Sequence, residues 1–324
     1  MNILVIGAGG VGIELATSVA TQGLDISIFA RGKTAKAIKE NGIKRTGLFE
    51  HHQIRDVPVY ESYEEIPKNH FDYIFICSKT TANEDISQNL NENRNILKEN
   101  SKIILFQNGF GNDEYYLRHF TSKQVFCARV ITGASRPKRH ISEITIATDI
   151  LLGSLQGENP ECLREIAELI DKSDISCEIS EEIDKYLWAK MLYNCALNPL
   201  GAILDVNYGR LTENPYTVEV MDSIIDEIFN VIEASPYETL WENSQDYKDL
   251  FYSTLIPDTY NHCSSTHQDI KRRIPTEIDS LSGKVIQLGE KYNINVSTNK
   301  LMYDLIKAIE SDFDNQKETK TLYM

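Results

Sequence analysis

Two rhythms of apolar and polar positions divide the chain. Up to about residue 180, short dense or alternating apolar runs are separated by stretches with helical spacing. Ile3 to Ile6, Leu24 to Phe29, Phe71 to Cys77, Ile103 to Phe106 and Val125 to Ile131 are predicted strands, and Ile141 to Leu152 reads as extended chain. Between them, Val11 to Gln22 puts Val11, Leu15 and Val19 on one helical face and stops at Gly23. Lys33 to Glu40 is a short helix ended by Asn41-Gly42, and Thr81 to Glu99 is a polar-faced helix. Asn159-Pro160 opens another, with Asn as cap and Pro at the first position, running to Ile170. Strands alternating with helices specify a parallel sheet covered by helices, an α/β fold.

Beyond about residue 180 strand signals fade. Ile183 to Leu204, Tyr216 to Ala234, Tyr260 to Arg272 and Glu277 to Tyr292 all carry helical spacing. The expected organisation is therefore an α/β domain over residues 1–180 and an all-helical domain over 181–324. The polar end, residues 315–324, is expected to fray.

Composition fits this division. The chain has 324 residues, enough for about two domains at roughly 150 residues each. Its net charge of −15 repels phosphate backbones, which argues against nucleic acid as a partner. An anionic ligand must be held by local cations against that field. Apolar stretches fall far short of the ~20 residues a bilayer requires, and the start runs straight into a Gly-rich turn without a basic leader. No membrane partner is expected, and the expected location is the cytoplasm. The six cysteines show no C-x-x-C or His/Cys ligand spacing, so reduced, mostly buried thiols and no metal site are expected.

The first candidate chemistry is Gly7-Ala8-Gly9-Gly10-Val11-Gly12, which matches G-x-G-x-x-G between a predicted strand and a predicted helix. Gly7 permits a tight turn, Gly9 lets backbone approach a pyrophosphate, and Gly12 lets helix pack on strand. The helix N-terminus then offers N–H groups to phosphates. A Gly-rich turn without a ligand is the plainer alternative. Nineteen residues beyond Gly12, where NAD-binding sequences carry Asp or Glu, stands Arg31, with Lys33 close behind. A guanidinium suits a 2′-phosphate and cannot accept from a hydroxyl, so the expected cofactor is NADP(H). Lys79 and Asn108 follow two further strand ends; each could reach cofactor or substrate, or serve only as a turn residue.

In the helical half, Lys190, Asn194 and Asn198 recur every four residues and share one face. Two Asn in mid-helix cost stability, which points to a polar pocket, against the alternative of an exposed stripe. Pro199 is expected to kink the helix near Cys195. Further on, Thr276 and Asp279 form a capping-box pattern, and Glu277 falls in the first helical turn, where the dipole alone explains a carboxylate.

Taken together, these motifs resemble the ketopantoate reductase family over the whole chain. The resemblance rests on the glycine turn, Arg31, Lys79, Asn108-Gly109, Trp188-x-Lys190-x-x-x-Asn194-x-x-x-Asn198-Pro199-Leu200, and Ser264-Ser265 followed by Gln268-Asp269-Ile270 and Thr276-Glu277-Ile278-Asp279. It implies a Rossmann domain joined to a helical domain, with the site in the cleft between them. Lys190 would be the general acid and Glu277 its acidic partner at substrate and cofactor. Asn194, Asn198 and Ser265 would bind the hydroxyl and carboxylate of a small 2-keto acid, and Asn108 would border nicotinamide and substrate. Burial would lower the Lys190 pKa and Glu277 would oppose that shift. A homodimer is the candidate assembly.

Two positions depart from the family pattern. Tyr208 stands where Asn often precedes the Gly after the catalytic helix, and His262 where Asn can precede the pocket serine by three. The readings carried forward are reduction of ketopantoate by NADPH for pantothenate synthesis, reduction of another branched 2-keto acid, and an NADP-binding redox sensor without turnover. The proton donor set in a polar stripe argues against the last.

Overall fold

The computed structural model describes residues 1–322, with side chains through residue 313; the last two residues and the side chains of most of the segment expected to fray lie outside the described part. The chain forms two compact units, residues 1–108 with 112–183, and residues 109–111 with 184–324. Among the described residues no helix is long and apolar enough to cross a membrane.

The first unit is α/β. Its strands are β1 (Asn2–Ile6), β2 (Asp25–Phe29), β3 (Ile43–Gly47), β4 (His52–Ile54), β5 (Val59–Tyr60), β6 (Phe71–Ile76), β7 (Leu97–Leu105), β8 (Val125–Arg129), β9 (Thr132–Lys138), β10 (Ile141–Ala147), β11 (Ile150–Gly153) and β12 (Cys177–Ser180). Its helices are α1 (Gly10–Ala20), α2 (Gly32–Asn41), α3 (Asn83–Glu92), α4 (Asp113–Leu117) and α5 (Arg164–Asp171). Eight strands form one sheet in the order β12-β11-β8-β7-β6-β1-β2-β5, parallel except where β11 meets β8. Strand order reverses direction at β1, between β2 and β6, so a ligand crevice is expected beyond the carboxyl ends of β1 and β6. Ile3, Val5, Ile28, Phe75 and Ile104 are buried in its core.

A second sheet, ordered β4-β3-β10-β9, takes β10 from the stretch expected to be extended chain, while β3, β4 and β9 are absent from the hydrophobic reading. Its strands are short, and only Ile43, Arg45, Ser142 and Ile144 are buried along β3 and β10. The sheet lies on α1, which explains why Gly12 through Val19 are all buried, polar residues included.

Several boundaries move. The helix expected over 81–99 ends at Glu92, and the chain is already strand from Leu97. Asn93 leaves helical geometry (φ −112°, ψ 35°) and its side chain bonds back to the Asn89 carbonyl, the competition that makes Asn a poor helix former. Asn159 caps its helix as expected, accepting from the Glu161 N–H at 2.8 Å.

The second unit is helical: α6 (Ile183–Leu204), α7 (Tyr208–Thr212), α8 (Pro215–Glu233), α9 (Ser244–Leu250) continuing through a π-turn at Phe251–Leu255 into α10 (Ile256–Asp258), α11 (Ser265–Arg272), α12 (Ser282–Tyr292) and α13 (Ser297–Leu322). α6 passes through Pro199 without ending. The helix expected from Tyr260 starts at Ser265, because Ser264 is its cap and accepts from the His267 N–H at 3.0 Å. The helix expected from Glu277 is a short 3-10 turn, Ile278–Ser280, before α12 begins. Glu277 is therefore the residue before that turn, not part of an α-helical first turn. The capping box is half made: Thr276 Oγ1 accepts from the Ile278 N–H at 3.3 Å, while Asp279 turns outward to the Tyr303 hydroxyl.

Candidate active site

The glycine turn lies at the reversal point of the large sheet. Gly7 has φ +103°, and a Cβ there would fall 2.4 Å from the Ser78 nitrogen at the end of β6. A Cβ on Gly12 would fall 2.0 Å from the Gly7 carbonyl oxygen. At Gly9 the nearest atom to an added Cβ is 4.0 Å away, so the missing side chain there leaves open space. Gly10 faces Ala134 of β9, Ala8 is buried and Val11 half-buried. Helix α1 has no acidic residue in its first turn and no side-chain cap bond at Gly9. Open space over a positive helix end suits the diphosphate of a dinucleotide.

Arg31 follows β2 at the cap position of α2, exposed, with its guanidinium carbon 5.3 Å from the Phe29 ring centre. The structure adds cations that the sequence reading missed. Arg136 and Arg139, from the β9–β10 hairpin, donate to Thr34 Oγ1 at 3.2 and 3.4 Å in the first turn of α2. Glu61 also stands at this turn, accepting from the Gly32 N–H at 3.1 Å and from Lys39 at 2.8 Å. The Lys39 ammonium, then the Gly32 N–H, holds this carboxyl below the usual range.

Lys79 precedes the short turn Thr80–Ala82 after β6, and Asn108 follows β7. A polar network ties these two strand ends together. Gln107 Nε2 donates to the Ser78 carbonyl at 3.0 Å and to Asn83 Oδ1 at 2.7 Å. Asn83 Nδ2 donates to Asn112 Oδ1 at 3.1 Å, and Asn112 Nδ2 returns to the Asn108 carbonyl at 2.9 Å. Asn83 and Asn112 are buried, which sets the backbone at Asn108. Neither stood out in sequence, since a lone Asn reads as a turn or cap residue.

In the helical unit the stripe on α6 is not a solvated face. Asn194 and Asn198 are 8% and 3% exposed, and Lys190 is half-buried. Asn198 Oδ1 accepts from the Tyr208 hydroxyl at 2.7 Å, and its backbone carbonyl accepts from Ser264 Oγ at 3.3 Å. Ser264, not the exposed Ser265, is the serine that touches Asn198. Glu277 is half-buried. Its neighbour Thr276 is fixed by Glu310 of α13, which accepts from the Thr276 N–H at 2.7 Å and hydroxyl at 2.6 Å.

Comparison with known proteins agrees with this layout. The model of the family described as "Ketopantoate reductase PanE/ApbA" matches residues 3–157, and that of its C-terminal domain matches residues 182–310. The chain belongs to the ketopantoate reductase family. A family member from Aquifex aeolicus named 2-dehydropantoate 2-reductase is 34% identical over 314 residues, covering 96% of this chain and 97% of its own. The fold is likewise shared. The crystal structure of a PanE/ApbA family ketopantoate reductase from Ralstonia eutropha superposes with a TM-score of 0.86 at 22% identity, over 97% of this chain and 100% of that one. D-mandelate dehydrogenase, solved with NADH and anilino(oxo)acetate, gives 0.86 at 20% identity, over 97% and 99%. Like these ketopantoate reductases, the chain is an oxidoreductase with a Rossmann-type first unit and a helical second unit.

Proposed function

We propose that this protein reduces ketopantoate to pantoate with NADPH, the step that supplies pantothenate synthesis. The observation that carries the reading is the burial of Asn194 and Asn198 on the face of α6 that also bears Lys190. A buried polar group must find hydrogen-bond partners, and two amides on the face of an ammonium offer several to a polar ligand. The 34% identity to the Aquifex aeolicus 2-dehydropantoate 2-reductase supports the choice of acid.

The glycine turn, Gly7 to Gly12, would hold the diphosphate, and Arg31 with Arg136 would hold the 2′-phosphate; Lys79 and Asn108 would border the ribose and nicotinamide. Bound NADPH supplies the hydride. Hydride arrival at the carbonyl carbon builds negative charge on its oxygen. The Lys190 ammonium, at Nζ, stabilises that charge and then gives it a proton, leaving a hydroxyl and a neutral amine. Lysine suits this task because it can release its proton, whereas a guanidinium stays protonated. The Glu277 carboxylate favours the charged amine before the step. Asn194, Asn198 and Ser265 hold the carboxylate and hydroxyl through neutral groups, so the acid keeps its charge.

NADPH oxidation measured with ketopantoate and a panel of 2-keto acids tests the reading. Lys190→Ala should lower kcat by about 10²-fold or more. Tight NADPH binding with no turnover of any acid would leave the sensor reading in its place.

A further inference from the structure

We propose that Thr132 is a cofactor-binding residue: its hydroxyl donates to an oxygen on the nicotinamide half of the dinucleotide, at the diphosphate or the adjoining ribose. This rests on reading the glycine turn as the seat of the diphosphate.

Successive residues of a strand point to opposite faces, and the two faces of β9 are identified by what they meet. Gly133 and Ser135 turn toward β10: a Cβ on Gly133 would fall 3.0 Å from Thr145 Oγ1, and Ser135 Oγ donates to Glu143 at 2.8 Å. Ala134 and Arg136 take the other face. The Ala134 Cβ lies 2.9 Å from where a Gly10 Cβ would stand, at the N-terminus of α1, and Arg136 donates to Thr34 in the first turn of α2. Thr132 shares this second face by alternation. Residues two apart on a strand are spaced about 6.5 Å, so the face runs from the α2 end, past the glycine turn, and on by one further step. In the large sheet β2 lies on one side of β1 and β6 on the other. With Arg136 on the β2 side, that last step carries Thr132 to the β6 side. A dinucleotide seated on the glycine turn puts its adenosine ribose at the end of β2, which leaves its nicotinamide half for the side where Thr132 stands.

The hydroxyl has no structural task. Thr132 Oγ1 is buried and has no hydrogen-bond partner among the described residues. A buried hydroxyl left unpaired destabilises the fold, and Val would have the same shape on a strand without that cost. The residue as a whole is half-buried, so its side chain is not sealed in, and a change of χ1 between staggered wells exchanges the hydroxyl and methyl positions. A hydroxyl carries one donor, and phosphate and ribose oxygens accept it.

Binding titrations on the whole protein test this. Thr132→Val keeps the shape and deletes the donor. It should weaken NADPH and NADH alike, by about fivefold or more, whereas Arg136→Ala should weaken NADPH alone. Adenosine 2′,5′-bisphosphate, which carries the 2′-phosphate without the nicotinamide half, should bind Thr132→Val as it binds the parent. Thr132→Ser restores the donor and should bring both dinucleotides back to within about twofold of the parent. The urea midpoint of Thr132→Val should equal or exceed that of the parent, because an unpaired hydroxyl is gone. Unchanged dinucleotide affinity in Thr132→Val, a loss that serine does not restore, a matching loss for the bisphosphate, or a lowered urea midpoint overturns the assignment of Thr132 and leaves the role of the glycine turn standing. A parent protein that binds neither dinucleotide overturns both.

Discussion

Arg31 carries a charge that neither the hydrophobic pattern nor the fold requires. It is exposed at the start of α2, and Arg136 and Arg139 converge on Thr34 one turn along. In a chain of net charge −15, positive groups gathered at one turn make a local anion trap. A 2′-phosphate would meet them through charge-assisted bonds, each worth roughly 1.5–3 kcal/mol. Arg31→Ala and Arg136→Ala should therefore each weaken NADPH binding by about tenfold or more and leave NADH nearly unchanged. Titration of both cofactors by nucleotide fluorescence reads this directly. Equal losses for the two would remove the 2′-phosphate from these arginines, and Glu61 at the same turn would become the candidate ribose ligand.

At the scale of elements, α1 shows what the second sheet does. An ordinary covering helix turns one face to water, but here the β3–β10 side buries that face as well, with Glu14, Thr17 and Ser18 on it. Arg45 of β3, fully buried, donates to Ser18 Oγ at 2.6 Å, to the Ser173 carbonyl at 2.9 Å and to Asp174 at 2.9 Å. Glu14 accepts from Ser18 Oγ at 3.0 Å, and its other oxygen has no hydrogen-bond partner among the described residues. Burial lifts its pKa from 4.5 to about 7, against the pull of Ser18 and the Arg45 charge. Between those values the folded chain keeps a proton that the unfolded chain has lost. Stability should then fall as pH rises from about 4.5 to about 7 and level off above, by on the order of 3 kcal/mol. Glu14→Gln removes this slope, so its gain over the parent in urea midpoints should grow from pH 5 to pH 7; parallel curves would exclude the effect. The same element marks the limit of what sequence shows. Strand–turn–helix and the stripe on α6 are legible because their logic is local, a period of two, of 3.6 or of four residues. The second sheet, the arginines of its hairpin and the Asn83–Asn112 bridge depend on pairings between distant segments. Tyr208 stood out as a departure, but its bond to Asn198 comes from how α7 folds back on α6.

For the whole molecule, the chain's route matters more than a single boundary near residue 180. Residues 109–111 leave the α/β unit directly after Asn108 and belong to the helical one. Phe110 is 3% exposed, its ring 4.7 Å from Trp188 and 4.9 Å from Tyr237, and its N–H donates to the Ser280 carbonyl at 3.0 Å. Gly109 and Gly111, at φ +91° and +76°, make the sharp entry and exit, and a Cβ on Gly109 would strike Ser280 at 2.4 Å. The helical core is therefore completed by a residue encoded between β7 and α4. Replacing a buried Phe by Ala costs about 3–5 kcal/mol. Both tryptophans, Trp188 and Trp241, lie in the helical unit, so their fluorescence reports on that unit alone. Phe110→Ala should lower the denaturation midpoint seen by tryptophan emission by a shift of that size. The NADPH-to-NADH affinity ratio should stay unchanged, because the arginines that would set it lie in the other unit. A midpoint left in place would mean that the helical unit does not depend on Phe110, and a displaced ratio would mean that this segment reaches the cofactor site itself.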